Sequence, residues 1–258
     1  MELKGKVAIV TGAVGTIGQG ICRTLAGEGM HVVVADLVQD RCDDFAGQIK
    51  ASGGSALGVA VDVASREATA RMARTVIEAF GRIDVLVNNA GIITVAPLAD
   101  YPEEAFDRVI KVNLKGAFLC AQAVVAHMIE NRNGRIVNIS SVAAKRPGPM
   151  QSAYAASKHG LIGLTQVWCQ ELGPHNITVN AVCPGFIDSP MWSDHLGPAY
   201  APSFGVQPAQ LIETIAKAFM PLGRTQTPME IGDAVVYFCK ADNTSGQALV
   251  VDGGHAMW

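Results

Sequence analysis

The chain has 258 residues, of which 49% are hydrophobic and 17% are charged, and its formal net charge is -3. A chain of this size and apolar content buries a substantial core without disulfide bonds or metal ions. Its charge provides no long-range field that would attract nucleic acid or an anionic membrane. We therefore expect a globular protein that has neither of these among its partners.

The sequence has no sign of secretion or of metal binding. The chain enters an apolar strand-like run at once, without the pattern of a signal peptide, and no apolar run reaches the length that spans a membrane. The six cysteines are scattered and include no Cys-x-x-Cys pair, so we interpret them as buried free thiols in a reducing cytoplasm. We expect a cytoplasmic protein without a metal site.

Short β-branched runs alternate along the chain with amphipathic stretches, which is typical of βαβ units around a parallel sheet. The predicted strands are Val7–Thr11, His31–Asp36, Ala56–Val61, Val85–Asn88, Arg135–Ser140, Thr178–Cys183 and a last one near Ala248–Val251. Helical spacing predicts helices over Ile17–Glu28, Arg66–Phe80, Phe106–Glu130, Ser152–Leu172 and Ala209–Phe219. This order predicts an α/β fold with one doubly wound, Rossmann-type parallel sheet and helices on both faces.

The alternation lapses after Pro184, where Pro, Gly, Ser and aromatic residues mix. A segment of this length between sheet elements usually covers a site. We interpret residues from about 188 to 222 as a segment that covers the substrate. No domain boundary is evident, so residues 1–258 are expected to form a single domain.

Glycines follow the first predicted strand, and a carboxylate ends the second. Gly12, Gly15 and Gly18 lie between strand and helix, where backbone amides and a helix N-terminus can face a pyrophosphate. Alone this pattern is weak, because glycine-rich turns also serve packing. Asp36 lies 24 residues after Gly12, near the spacing of a carboxylate that binds the adenosine ribose. This carboxylate would repel a 2′-phosphate, and no basic residue is seen beside it, so NAD is favoured over NADP. The alternative is that Asp36 is only a turn residue at the end of the strand.

Three side chains around the end of the fifth predicted strand have the chemistry of proton transfer. Tyr154 and Lys158 share one face of a predicted helix, and Ser141 follows the strand that precedes it. A tyrosine that acts as a base near neutrality needs its pKa lowered from about 10 by about 2 to 3 units. Lys158 and a positive nicotinamide ring would jointly supply that shift. A lone Tyr-x-x-x-Lys pair is common by chance, but its position after Ser141 favours a shared substrate oxygen.

The ordered motifs together resemble the short-chain dehydrogenase/reductase family over essentially the whole chain. They are Thr11-Gly12 to Gly18, Asp36, Asp62, Asn88-Asn89-Ala90-Gly91, Asn113, Ser141, Tyr154, Lys158 and Pro184-Gly185. The resemblance implies an oxidoreductase in which Tyr154 is the general acid/base, Lys158 lowers the pKa of Tyr154 and Ser141 orients the substrate carbonyl. Asn113 would complete this set by holding a water that links Lys158 to solvent.

The same resemblance implies the cofactor contacts, with NAD as the cofactor. They are Gly12, Gly15, Thr16, Ile17, Gly18, Asp36, Asp62, Val63, Asn89, Ala90, Gly91, Tyr154, Lys158, Pro184, Gly185, Ile187 and Ser189. Thr16 stands where the family has a glycine. We expect Gly15 to take the unusual backbone dihedrals instead, and the Thr16 hydroxyl to bond a phosphate oxygen or to cap the helix.

The residues after Ser189 and the end of the chain look similar to family members that act on polyols, vicinal diols and acetoin. By that likeness Met150, Phe186 and Trp192 would line the pocket of a small secondary alcohol, which is interconverted with its ketone. Relatives of this kind are commonly tetramers. We expect a homotetramer, in which Trp258 would pack against a neighbouring subunit.

Two other classes of function stay open. A 3-oxoacyl-thioester reductase that uses NADPH predicts a basic residue near Asp36 or in the glycine turn, and neither is seen in the sequence. A nucleotide-sensing protein that has lost the chemistry predicts a broken set of proton-transfer residues, whereas all four members of that set are present.

Overall fold

The computed structural model describes residues 1–256, so Trp258 lies outside the described residues. Their strands form one sheet in which every pairing is parallel. The strands are β1 (Val7–Thr11), β2 (His31–Asp36), β3 (Ser55–Ala60), β4 (Val85–Asn88), β5 (Gly134–Ile139), β6 (Ile177–Pro184) and β7 (Ala248–Val251). The order β3-β2-β1-β4-β5-β6-β7 reverses direction between β1 and β4, which is where doubly wound sheets bind their ligands. The predicted fold class is confirmed.

Helices cover both faces of this sheet. They are α1 (Thr16–Gly27), α2 (Gln39–Ala51), α3 (Arg66–Phe80), α4 (Glu103–Ile110), α5 (Gly116–Glu130), α6 (Ser152–Leu172), α7 (Gly197–Phe204), α8 (Pro208–Phe219) and α9 (Pro228–Lys240). One buried apolar cluster contains residues of α1, α2 and α9, and the other contains residues of α3, α5 and α6. Successive residues of β1 belong to different clusters, Val10 to the first and Ile9 to the second. A strand that is buried on both faces reads as a continuous apolar run.

Most element bounds agree with the sequence prediction. The bounds of β1, β2, β4, β7, α3 and α6 are as predicted, β3 and β5 lie one residue earlier, and β6 is longer at both ends. Three helices were missed: α2, α7 and α9. The start of α9 has a readable signal, because the Thr227 hydroxyl accepts from the Glu230 amide and the Glu230 carboxylate accepts from the Thr227 amide.

The helix predicted over Phe106–Glu130 begins three residues earlier and includes a π-helical turn at Lys111–Lys115. The unbroken stretch Glu103–Glu130 is long and apolar enough to cross a membrane by length and composition, which the sequence analysis did not expect of any stretch. Its apolar residues Cys120, Val124 and Met128 are buried between α3 and the sheet. This packing is that of a core helix in a globular protein.

The crossing of α1 over α9 predicts a large difference between two glycines of α1. A Cβ at Gly20 would stand 2.4 Å from the carbonyl carbon of Pro228, so Gly20→Ala is expected to lower the free energy of unfolding by about 1 to 3 kcal/mol. Gly27→Ala is the matched control, since nothing lies within 4 Å of its added Cβ, and it should leave stability unchanged or raise it by up to about 1 kcal/mol. Urea denaturation measures both, and equal effects would contradict the close crossing.

Candidate active site

The carboxyl ends of β1 and β4 are tied together where the strand order reverses. The Thr11 hydroxyl donates to the Val87 carbonyl (3.3 Å) and accepts from the Asn89 amide (3.1 Å). The Asn89 side chain in turn donates to the carbonyls of Thr11 and Gly12, both at 2.9 Å. Asn89, an expected cofactor contact, therefore uses its side-chain N–H groups to hold the glycine turn.

The glycine turn has its unusual backbone at Gly12 and not at Gly15. Gly12 has a φ of +63°, and a Cβ there would stand 2.8 Å from the Cα of Ala90. Gly15 has ordinary extended dihedrals, with φ -75° and ψ 165°, so the expectation for Gly15 was wrong. Thr16 is the first residue of α1 and does not cap it, because Gly15 occupies the cap position and no side chain bonds there. The uncapped helix start leaves its first amides for a ligand.

Asp36 lies at the far side of this turn and is held by it. Its carboxylate accepts from the amides of Val14 (3.1 Å) and Leu37 (2.8 Å). Arg41, in the first turns of α2, lines the same cavity as Asp36. It makes no hydrogen bond or ion pair among residues 1–256. The prediction that no basic residue lies near Asp36 is therefore wrong. Arg41 escaped notice because α2 was not predicted.

Two adjoining cavities contain all the expected cofactor residues. The larger, of about 630 Å³, is lined by Gly12, Gly15, Thr16, Ile17, Gly18, Asp36, Asp62, Val63, Asn89, Ala90, Gly91 and Ser189. The smaller, of about 90 Å³, is lined by Tyr154, Lys158, Pro184, Gly185 and Ile187 among others. The larger volume is within the range of small-molecule and cofactor sites. A groove that begins at a helix N-terminus and reaches a carboxylate fits a dinucleotide.

Lys158 and Tyr154 project from α6 into the smaller cavity. The Lys158 ammonium is buried, donates to the Ile139 carbonyl at 2.8 Å and lies 5.6 Å from the centroid of the Tyr154 ring. Burial lowers the pKa of Lys158 to about 8. Burial also raises the pKa of Tyr154, against the opposing effect of a hydrogen bond with Ser141. The lowering of the tyrosine pKa that was expected from Lys158 is therefore absent in the protein alone.

Asn113 reaches the same helix through a serine that the sequence analysis did not single out. It lies in the π-helical turn, accepts from the Ile92 amide at 2.8 Å and donates to the Ser157 hydroxyl at 3.1 Å. Ser157 then donates to the Tyr154 carbonyl at 2.7 Å. A Cβ at Gly91 would stand 3.3 Å from the Lys158 nitrogen and 3.5 Å from the Asn113 side-chain oxygen. These two polar atoms thus face one small space.

The apolar wall of the smaller cavity is formed by Met191 and Trp192, opposite Ser141 and Tyr154. Of the three expected wall residues, only Trp192 lines the cavity. Phe186 stands behind it, with ring centroids 5.2 Å apart in an edge-on contact. Met150 does not line the cavity and lies in the loop before α6, where its φ is +61°.

Residues 6–196 match the family model described as short chain dehydrogenase. The 3-oxoacyl-acyl-carrier-protein reductase FabG of Thermotoga maritima is 40% identical over 256 residues, which are 98% of this chain and 99% of that protein. Two solved structures are similar throughout. An NAD+-bound xylitol dehydrogenase has a TM-score of 0.92 at 33% identity and covers 98% of this chain and 100% of its own. A variant of actinorhodin polyketide ketoreductase with NADPH has a TM-score of 0.93 at 34% identity and covers 98% of each chain.

The buried ammonium of Lys158 predicts a pH-dependent cost of folding. Its pKa is lowered from 10.5 to about 8, so the unfolded chain binds the proton more tightly, and this penalty is complete below about pH 8 and vanishes as the pH rises towards 10.5. Lys158→Met is expected to raise the free energy of unfolding by about 2 to 3 kcal/mol at about pH 7 and by much less at about pH 10. Urea denaturation at both values measures the difference. Lys50→Met, at an exposed position of α2, is the control, and a gain from Lys158→Met that is independent of pH would contradict the assignment.

Proposed function

The chain belongs to the short chain dehydrogenase family, and we propose on this basis that it interconverts a small secondary alcohol and its ketone. One observation carries the proposal. Ser141, Tyr154 and Lys158 meet in a cavity that adjoins a cleft of dinucleotide size. Polar groups with perturbed pKa values at the carboxyl edge of a doubly wound sheet are the arrangement of an active site. A protein that only senses a nucleotide has no need of it.

In this proposal Tyr154 exchanges a proton with the substrate oxygen, and the Ser141 hydroxyl holds that oxygen in place. NAD, when bound, supplies the hydride acceptor or donor. Lys158 has a pKa of about 8, so it can exchange a proton near neutrality. The Asn113 side-chain oxygen and this ammonium both lie beside Gly91, and the proposal gives Asn113 the role of holding a water that links Lys158 to the solvent.

NAD is the proposed cofactor because Asp36 places a carboxylate at the adenosine end of the cleft. A carboxylate accepts hydrogen bonds from ribose hydroxyls and repels a 2′-phosphate. Arg41 acts in the opposite sense, since an unpaired guanidinium attracts phosphate. The balance of these two charges is proposed to favour NAD while leaving some use of NADP.

The proposed substrate is a polyol, a vicinal diol or a similar small alcohol. Trp192 and Met191 line the smaller cavity, whose volume of about 90 Å³ leaves little room beside the reacting carbon. The xylitol dehydrogenase structure supports this class. Arg41 and the likeness to FabG support a second candidate, the reduction of a 3-oxoacyl thioester with NADPH. The small volume of this cavity is the reason for preferring the small alcohol to the thioester.

Further parts of the proposal concern the whole protein. Residues 188–222 are proposed to cover the substrate within a single domain. A homotetramer is supported by exposed apolar side chains on the outer faces of α5 and α6, Phe118 and Val167. The free cysteines, most of them buried, are compatible with the cytoplasm as its location.

The activity is tested with a panel of polyols, vicinal diols, hydroxy acids and one 3-oxoacyl thioester, with NAD(H) and NADP(H) absorbance as the signal. We expect turnover of a polyol or diol with NAD. Tyr154→Phe should lower kcat by at least about 100-fold and leave NAD affinity, measured by calorimetry, within about twofold. Full activity of this variant would refute the role of Tyr154, and turnover of the thioester alone would favour the second candidate.

The choice of cofactor is tested with two variants of the adenosine end. Asp36→Ala should lower kcat/KM for NAD and raise it for NADP, whereas Arg41→Ala should lower kcat/KM for NADP by about fivefold or more and change the value for NAD little. Lys50→Met, on the exposed side of α2, controls for the loss of one positive charge. Equal changes for both cofactors in Arg41→Ala would show that this guanidinium does not read the 2′ position.

A further inference from the structure

The segment over the active site is joined to the rest of the protein by few polar contacts. Among residues 1–256, the hydrogen bonds that run from residues 190–218 to more distant parts of the chain all involve the side chain of Tyr200. The last residue of α8, Phe219, adds one more, since its carbonyl accepts from the His255 ring at 3.4 Å. The other contacts that hold the segment in place are apolar. Its own small cluster consists of Ala201, Leu211 and Ile215, with Phe186 and Trp192 packed against it.

Tyr200 lies on α7 and makes two hydrogen bonds to the loop before α6. Its hydroxyl donates to the Pro149 carbonyl in a short contact and accepts from the Gln151 side-chain amide at 3.1 Å. One phenol thus uses both its donor and its acceptor capacity on residues 149 and 151. The ring itself is half-buried against the cluster of α7 and α8.

The loop that Tyr200 holds leads directly to the reacting side chain. Gln151 is the residue before α6, and Tyr154 lies in the first turn of that helix. Met150, between the two partners of Tyr200, has a φ of +61°, which is a costly backbone conformation for a residue with a long side chain. Such a conformation persists only where the surroundings impose it, and the two hydrogen bonds of Tyr200 flank it on either side.

The segment that contains Tyr200 also contains Trp192, a residue of the substrate wall. Trp192 lines the smaller cavity and belongs to the cluster against which Tyr200 packs. A movement of α7 away from the loop would therefore displace the wall opposite Tyr154. The dinucleotide cleft is built mainly on the glycine turn and the ends of β2 and β4, and of residues 190–218 only Pro190 and Met191 line it.

We propose that Tyr200 is a positioning residue that latches the segment 190–218 onto the loop before α6 and thereby sets the affinity for the alcohol far more than that for the dinucleotide. This inference rests on the proposed function only for the identity of the ligand that the latch retains. The closure itself is a property of the folded chain, so it can be measured without turnover.

The experiment compares Tyr200→Phe with the wild-type protein by amide hydrogen exchange and by steady-state kinetics. The variant keeps the ring and removes both hydrogen bonds. We expect faster exchange in residues 190–218 and 145–152, unchanged exchange in α3, a rise in KM for the alcohol of about three- to tenfold, and kcat and the Kd of NAD within about twofold. Tyr237→Phe, an exposed tyrosine of α9, is the matched control and should change none of these.

A second variant tests whether the contact to Gln151 is part of the latch. Gln151→Leu should raise exchange in the same two segments, and the effect of the double variant should be smaller than the sum of the two single effects. Unchanged exchange in residues 190–218 of Tyr200→Phe would overturn the proposal. So would faster exchange throughout the molecule, α3 included, or a loss confined to kcat. If no alcohol is turned over by the wild type, the proposed function fails, and the exchange data alone decide the latch.

Discussion

The tie between the ends of β1 and β4 is the constraint on which the rest of the site depends. In a doubly wound sheet the chain leaves β1 on one side and returns to β4 on the other, so the loops after these two strands separate and open a crevice. Thr11 and Asn89 close the base of that crevice and hold Gly12 against Ala90. The same loop then passes Gly91 beside the buried ammonium. One set of hydrogen bonds thus sets both ends of the cleft.

The proton-transfer end is built at the expense of stability. An ammonium with one protein acceptor in a desolvated place costs free energy of folding, and Lys158 has only the Ile139 carbonyl among the described residues. The neighbouring side chains are held by hydrogen bonds. Ser140 donates to the Lys158 carbonyl, and Ser157 links Asn113 to α6. Rigid supports around a destabilised charge are what a functional site requires. The raised pKa of Tyr154 follows from the same burial.

The covering segment is held in a different way from the body. The body has two large apolar clusters that share the sheet, whereas α7 and α8 have a small cluster of their own and the hydrogen bonds of Tyr200 and Phe219. Elements with few buried contacts open at lower free energy than the core. A segment with this balance is suited to admitting and releasing a ligand, while the glycine turn and the strand ends stay fixed.

The sequence by itself determined the sheet, the family resemblance and the residues of the cleft, because strands and motifs are local patterns and the carboxyl ends of parallel strands meet at one edge. It did not place Arg41, since the charged surface of α2 hides its helical period. Of the three wall residues that it predicted, Trp192 lines the cavity, whereas Phe186 and Met150 do not, and it missed Met191. It also predicted that Lys158 and the nicotinamide ring together lower the pKa of Tyr154, whereas burial raises this pKa in the protein alone. Only the tertiary structure decided these points, because the direction of a side chain and its desolvation depend on packing between segments distant in the chain.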